Sequence, residues 1–80
     1  MERQEIFDKV KKLITEKMAL GEIEVREESN LSYDLCLDSL DMVELTIDAE
    51  KEFGMSIPDQ DAAKFVTVKD IVDYIVEEKQ

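Results

Sequence analysis

Three stretches of this chain repeat apolar residues at the spacing of an α-helix, and nothing in it pairs as strands would. The first stretch carries Ile6, Phe7, Val10, Leu13, Ile14 and Met18. The second carries Met42, Leu45, Thr46, Ala49 and Phe53, and the third Val68, Ile71, Val72, Ile75 and Val76. Each stripe needs the others to cover it. Residues 22–26 alternate apolar and polar, but with no second strand available they read as loop. The spacing predicts helices over 2–18, 39–53 and 68–78, with Gly21 and Gly54 as the stops of the first two. Residues 55–58 read as an extended link, because a residue before proline avoids helical angles. A short helix over 58–65 follows, with Ala62, Ala63 and Phe65 as its apolar members. Thr67 and Asp70 have the spacing of a capping box, and Tyr74 is expected near the edge of the last helix. The expected fold class is all-α: a small four-helix bundle of three main helices and one short helix, forming a single domain over 1–80.

A long loop, 21–37, joins the first two helices. Ile23, Val25, Leu31, Leu35 and Leu37 are spaced to anchor it to the core. Loops this long are unusual in a compact domain and are often functional. This one delivers the chain to Asp38 and Ser39. The plain reading of that pair is a helix start, with Asp38 as N-cap and Asp41 in the first turn, favoured by the helix dipole.

Composition limits what else Ser39 does. The chain has no histidine and a single cysteine, Cys36. A serine–histidine or cysteine–histidine nucleophile is therefore excluded within the chain, as are a zinc pattern and an internal disulfide. If Ser39 takes part in chemistry, another protein activates or modifies it. No run of about 18 apolar residues exists to span a membrane. The charged N-terminus lacks the apolar core of a signal peptide, which sets the expectation of a cytoplasmic protein.

The residues around Ser39 carry a resemblance. The segment 35–45, Leu-Cys-Leu-Asp-Ser-Leu-Asp-Met-Val-Glu-Leu, followed by Glu52-Phe53 and Ile57-Pro58-Asp59, resembles an acyl carrier protein. The Asp-Ser-Leu core and the Val-Glu-Leu that follows stand at Asp38, Ser39, Leu40, Val43, Glu44 and Leu45, and the likeness runs on to Asp73-Tyr74-Ile75. It implies that Ser39 carries 4′-phosphopantetheine as a phosphodiester, added from coenzyme A by a phosphopantetheinyl transferase. The terminal thiol of that arm would hold acyl groups as thioesters. It also implies a carrier that catalyses nothing itself, most often in dissociated (type II) fatty-acid synthesis, with a core that opens to admit an acyl chain between helices. Specialised carriage in polyketide, aminoacyl or cell-envelope synthesis is the alternative within the class. An acidic interaction module that needs no hydroxyl at Ser39 is the alternative outside it.

The net charge of −11 fits this picture. It opposes nucleic acid and anionic membrane surfaces and favours enzymes with basic patches. The acidity is concentrated: residues 38–53 carry a net −5, whereas 1–20 carry +1. The second helix also bears a second apolar stripe, Leu40, Val43 and Ile47. Either the helix lies in a groove that buries both stripes, or this one is an exposed docking patch ringed by Asp41, Glu44, Asp48 and Glu50. The resemblance makes the second helix the partner-recognition helix, with Asp38 and Leu40 flanking the attachment serine and Asp41, Val43, Glu44, Ile47 and Glu50 facing partners. A monomer is expected.

Two positions depart from the family pattern. Glycine usually stands where Cys36 does. Cysteine tolerates a positive φ poorly, so a different local path into Ser39 is expected. A small buried apolar residue is the ordinary reading of Cys36, and an accessible thiol near the arm is the sharper one. Lys51 interrupts an acidic run that many family members continue. A calcium loop starting at Asp59 fails, because Lys64 stands where glycine is needed and Asp70 where glutamate is.

Overall fold

The computed structural model describes residues 2–18 and 24–79. Four helices follow in order: α1 (Arg3–Lys17), α2 (Ser39–Phe53), α3 (Asp59–Ala62) and α4 (Val68–Glu78). α1 packs against both α2 and α4. One core unites them, with Ile6, Val10 and Ile14 from α1, Leu45, Ala49 and Phe53 from α2, and Val68, Ile71, Val72 and Ile75 from α4. These are the stripes of the sequence, with Met42, Met18 and Val76 at their half-buried margins. Among the described residues there is no strand.

Helix ends follow local chemistry. Gly54, at φ 61°, closes α2 in the left-handed conformation that glycine adopts without strain. Thr67 and Asp70 form the capping box of α4, with the Thr67 side chain accepting from the Asp70 N–H and the Asp70 carboxylate accepting from the Thr67 N–H at 3.0 Å. α1 ends sooner than glycine spacing suggests: Met18 is already extended, at ψ 129°. Gly21 and Ile23 lie outside the described residues. The short helix is also shorter than expected. It closes at Ala62, and residues 63–64 are turn.

The loop into α2 is built rather than loose. Val25, Leu31, Leu35 and Leu37 are buried in the core. Asn30 bridges Thr67, the Leu31 N–H donates to Val66 O at 2.9 Å, and the Lys69 N–H donates to Glu27 O at 2.8 Å. These bonds moor the loop to the head of α4. The Asn30 side chain accepts from the N–H groups of Ser32 and Tyr33, fixing the turn that follows.

Charged side chains tie the helices at the surface. Arg3 pairs with Glu27 and, at 2.7 Å, with Asp73; Glu27 and then Asp73 hold its guanidinium above its ordinary pKa. Lys17 reaches Asp48 at 2.8 Å, which raises the lysine's pKa. Lys9 bonds Glu52 on α2 at 3.2 Å. Helical spacing alone pairs Lys9 with Glu5, but the tertiary partner wins.

Candidate functional site

The site is built on the N-terminus of α2. Asp38 is the N-cap: its Oδ1 accepts from the Asp41 N–H at 2.8 Å, and Asp41 Oδ2 accepts from the Asp38 N–H at 3.1 Å. Ser39 is the first residue of the helix and is exposed. Its hydroxyl is no part of the cap, because Asp38 and Asp41 complete it. The expected cap, Asp38 with Asp41 in the first turn, is what the structure shows, and Ser39 is left outside it. The amides of Ser39 and Leu40 have no acceptor within the helix and form its positive end. An anionic phosphodiester on Ser39 suits that position.

The approach to Ser39 corrects two expectations about Cys36. The residue is exposed, not buried, and it adopts φ 57° itself. The chain therefore takes a left-handed step two residues before Asp38, with cysteine bearing it. Leu35 and Leu37 explain this, since both are buried. Sending the residues on either side into the core turns Cys36 outward.

Beyond Ser39, α2 shows its second stripe to solvent. Leu40 is 67% exposed, Val43 56% and Ile47 43%, so α2 does not lie in a groove that buries both stripes. Glu44 stands beside this patch with its side chain half exposed, 3.9 Å from Lys17. Asp41 is used in the cap, and Asp48 is held by Lys17. Glu50, half-buried, is engaged within the protein: its Oε2 accepts from the Ile57 N–H at 2.7 Å. Sequence spacing placed Glu50 on the acidic rim and gave no sign of this contact, which depends on where the link after Gly54 returns.

A cleft of about 430 Å³ opens between α2 and α3, lined by Met42, Val43, Ile47, Glu50, Ile57 and Ala62 among others. Its walls are mainly apolar, and it begins on the same face of α2 as the exposed patch. On the far side of α3, the Tyr74 hydroxyl donates to Asp61 Oδ2 at 2.9 Å, and the Tyr74 ring meets Phe65 edge to face at 5.6 Å. The hydrogen bond to Asp61 and partial burial push the Tyr74 phenol up to about 12.

Comparison with known proteins agrees with this geometry. Residues 8–75 match the family model described as a phosphopantetheine attachment site. An acyl carrier protein of Thermotoga maritima is 52% identical over 73 residues, covering 91% of this chain and 90% of its own length. One from Rubrobacter xylanophilus is 44% identical, with 96% and 95% covered. One from Chlorobium phaeovibrioides is 47% identical, with 95% and 97% covered. An exposed serine at a helix head, an acidic helix behind it and likeness over almost the whole length of these relatives converge: the chain belongs to the acyl carrier proteins of the phosphopantetheine-attachment family, which carry 4′-phosphopantetheine covalently and are carriers, not catalysts.

Proposed function

We propose that Ser39 is the attachment point of 4′-phosphopantetheine and that the chain carries acyl intermediates of dissociated (type II) fatty-acid synthesis, as a cytoplasmic monomer. The observation that carries this reading is the position of Ser39, exposed as the first residue of α2 with its hydroxyl outside the cap. When attached, the arm supplies a thiol that holds acyl groups as thioesters.

Every other contribution comes from the chain's own residues. Asp38 fixes the start of α2 and thereby the direction of the Ser39 side chain. With no histidine in the sequence, the base that takes the Ser39 proton belongs to the phosphopantetheinyl transferase. Leu40, Val43 and Ile47 offer apolar contact to that enzyme and to synthesis enzymes. Asp41 and Glu44 steer their basic patches, setting on-rate and orientation more than affinity. The cleft between α2 and α3 is the place for an acyl chain. In size and apolar lining it resembles a small-ligand site.

Intact mass before and after incubation with coenzyme A and a phosphopantetheinyl transferase tests the reading. A single phosphopantetheine adduct is expected, absent from Ser39→Ala. A folded protein left unmodified by several transferases would remove Ser39 from this role and favour an acidic interaction module. Transfer of malonyl groups to the loaded form by a fatty-acid-type transacylase tests the pathway.

A further inference from the structure

Glu50 does two jobs at the end of α2. Its carbonyl oxygen accepts from the N–H groups of Gly54 and, at 3.1 Å, Met55, while its side chain accepts from the Ile57 N–H at 2.7 Å. One residue thus holds the beginning and the end of the link that leaves the helix. Ile57 is buried, and its side chain forms part of the cleft wall together with that of Glu50.

Between Ile57 and Phe65 the chain is held at its edges, with Ala62 and Phe65 half-buried against the core. Pro58 has no N–H to give, and its carbonyl accepts from Asp61 and Ala62 of α3 itself. α3 is one turn long and buries none of its residues. The principal helix packing is that of α1 with α2 and α4, and α3 has no comparable share. Its outer side is tied to α4 by the Tyr74–Asp61 hydrogen bond. The short helix, with Ala62 packed at the margin of the core, is thus held by two side-chain hydrogen bonds, one to α4 through Asp61 and one to α2 through the Ile57 amide that precedes it.

We infer that Glu50 is the latch of the cleft: by holding the Ile57 amide it fixes how far α3 stands from α2, and so sets the length of acyl chain the protein shelters. This rests on the carrier function proposed above. Releasing the latch leaves α3 attached to α4 and lets the wall swing from α2. The acceptor atom and its reach matter here, not the negative charge.

Two conservative variants separate reach from charge. Glu50→Gln keeps an oxygen acceptor at the same distance and removes the charge. Glu50→Asp keeps the charge and falls short by one methylene. In the protein without its arm, Ile57 amide exchange is expected to quicken about tenfold in Glu50→Asp and to change by less than about threefold in Glu50→Gln. The second readout is the gain in melting temperature on loading acyl chains of increasing length. Glu50→Asp is expected to shift the largest gain to longer chains, with Glu50→Gln following the parent. A purely structural loss lowers every loaded form equally, and that pattern would overturn the inference. So would Glu50→Gln matching Glu50→Asp in Ile57 exchange. Loading is read by mass, so a failure of the carrier reading shows there, while exchange in the unloaded protein decides the latch on its own.

Discussion

Asp38 and Asp41 hold each other's backbone amides, at 2.8 and 3.1 Å, across the first turn of α2, with Ser39 between them and outside the exchange. That arrangement divides labour between adjacent residues, stability to Asp38 and an unengaged hydroxyl to Ser39. Asp38→Ala is expected to lower unfolding free energy by about 1 kcal/mol, the usual size of a lost N-cap. Ser39→Ala is expected to change it by less than about 0.5 kcal/mol, as a surface substitution does. Urea unfolding of both variants without the arm checks this. Equal losses would return Ser39 to the cap.

Cys36 holds a conformation that suits glycine. At φ 57° an L-residue carries strain of roughly 1–2 kcal/mol, and glycine's extra unfolded-chain entropy takes back part of it. Cys36→Gly is expected to raise stability by about 0.5 kcal/mol or more, and Cys36→Val to lower it, because a β-branched side chain fits that region worse. The thiol is exposed, so a thiol reagent should label the native protein almost as fast as the unfolded chain. Slow labelling would mean that the Cys36 thiol is shielded in the native protein.

The periodic segments were legible because burial repeats along them: the stripe from Met42 to Phe53 and the capping pair Thr67 and Asp70 bound their helices closely. The exposed Ser39 was legible through its neighbours, since an aspartate before it and another two residues after it supply a complete cap. What stayed hidden depends on residues far apart in sequence. Free cysteines are usually buried, and only the burial of both Leu35 and Leu37 forces Cys36 outward. Lys9 meets Glu52 because α1 lies against α2, which the spacing of Glu5 and Lys9 does not show. The Glu50–Ile57 bond depends on the chain doubling back after Gly54. Local pattern locates elements, but side chains on their rims choose partners by tertiary placement.

Two carboxylate contacts give the fold opposite pH limits. Asp70 accepts from the Thr67 and Val66 amides, which hold its pKa below the ordinary 3.8. A depressed carboxylate contributes stability above its unfolded value and loses it as pH falls through its folded value. Asp70→Asn should therefore flatten the fall in stability below about pH 4. Tyr74 runs the other way. Its phenol is raised from 10.0 to about 12 by Asp61, so its contribution is complete below pH 10 and disappears as pH rises to about 12. Tyr74→Phe should be less stable than the parent at neutral pH, with the gap closing over that alkaline window. Thermal melts across both ranges check the two signs, and a parallel offset at every pH would contradict them.

The proposed docking face should report through rates rather than stability. Glu44 is only loosely approached by Lys17, at 3.9 Å, whereas Asp48 is held by it at 2.8 Å. Glu44 is thus freer to meet an incoming cation. Glu44→Gln is expected to lower the transferase kcat/KM roughly two- to fivefold at low salt, the scale of one exposed ion pair, with the difference shrinking as salt screens it. Asp48→Asn should cost less in rate and more in stability, because its bond joins α1 to α2. Leu40→Ser tests the apolar part. Leu40 is two-thirds exposed in the free protein, so the substitution should leave unfolding nearly unchanged while slowing loading at all salt concentrations. Apolar contact in a docked complex is not screened by ions as charge is. A Leu40→Ser protein that loads at the parent rate would move the docking surface away from the head of α2.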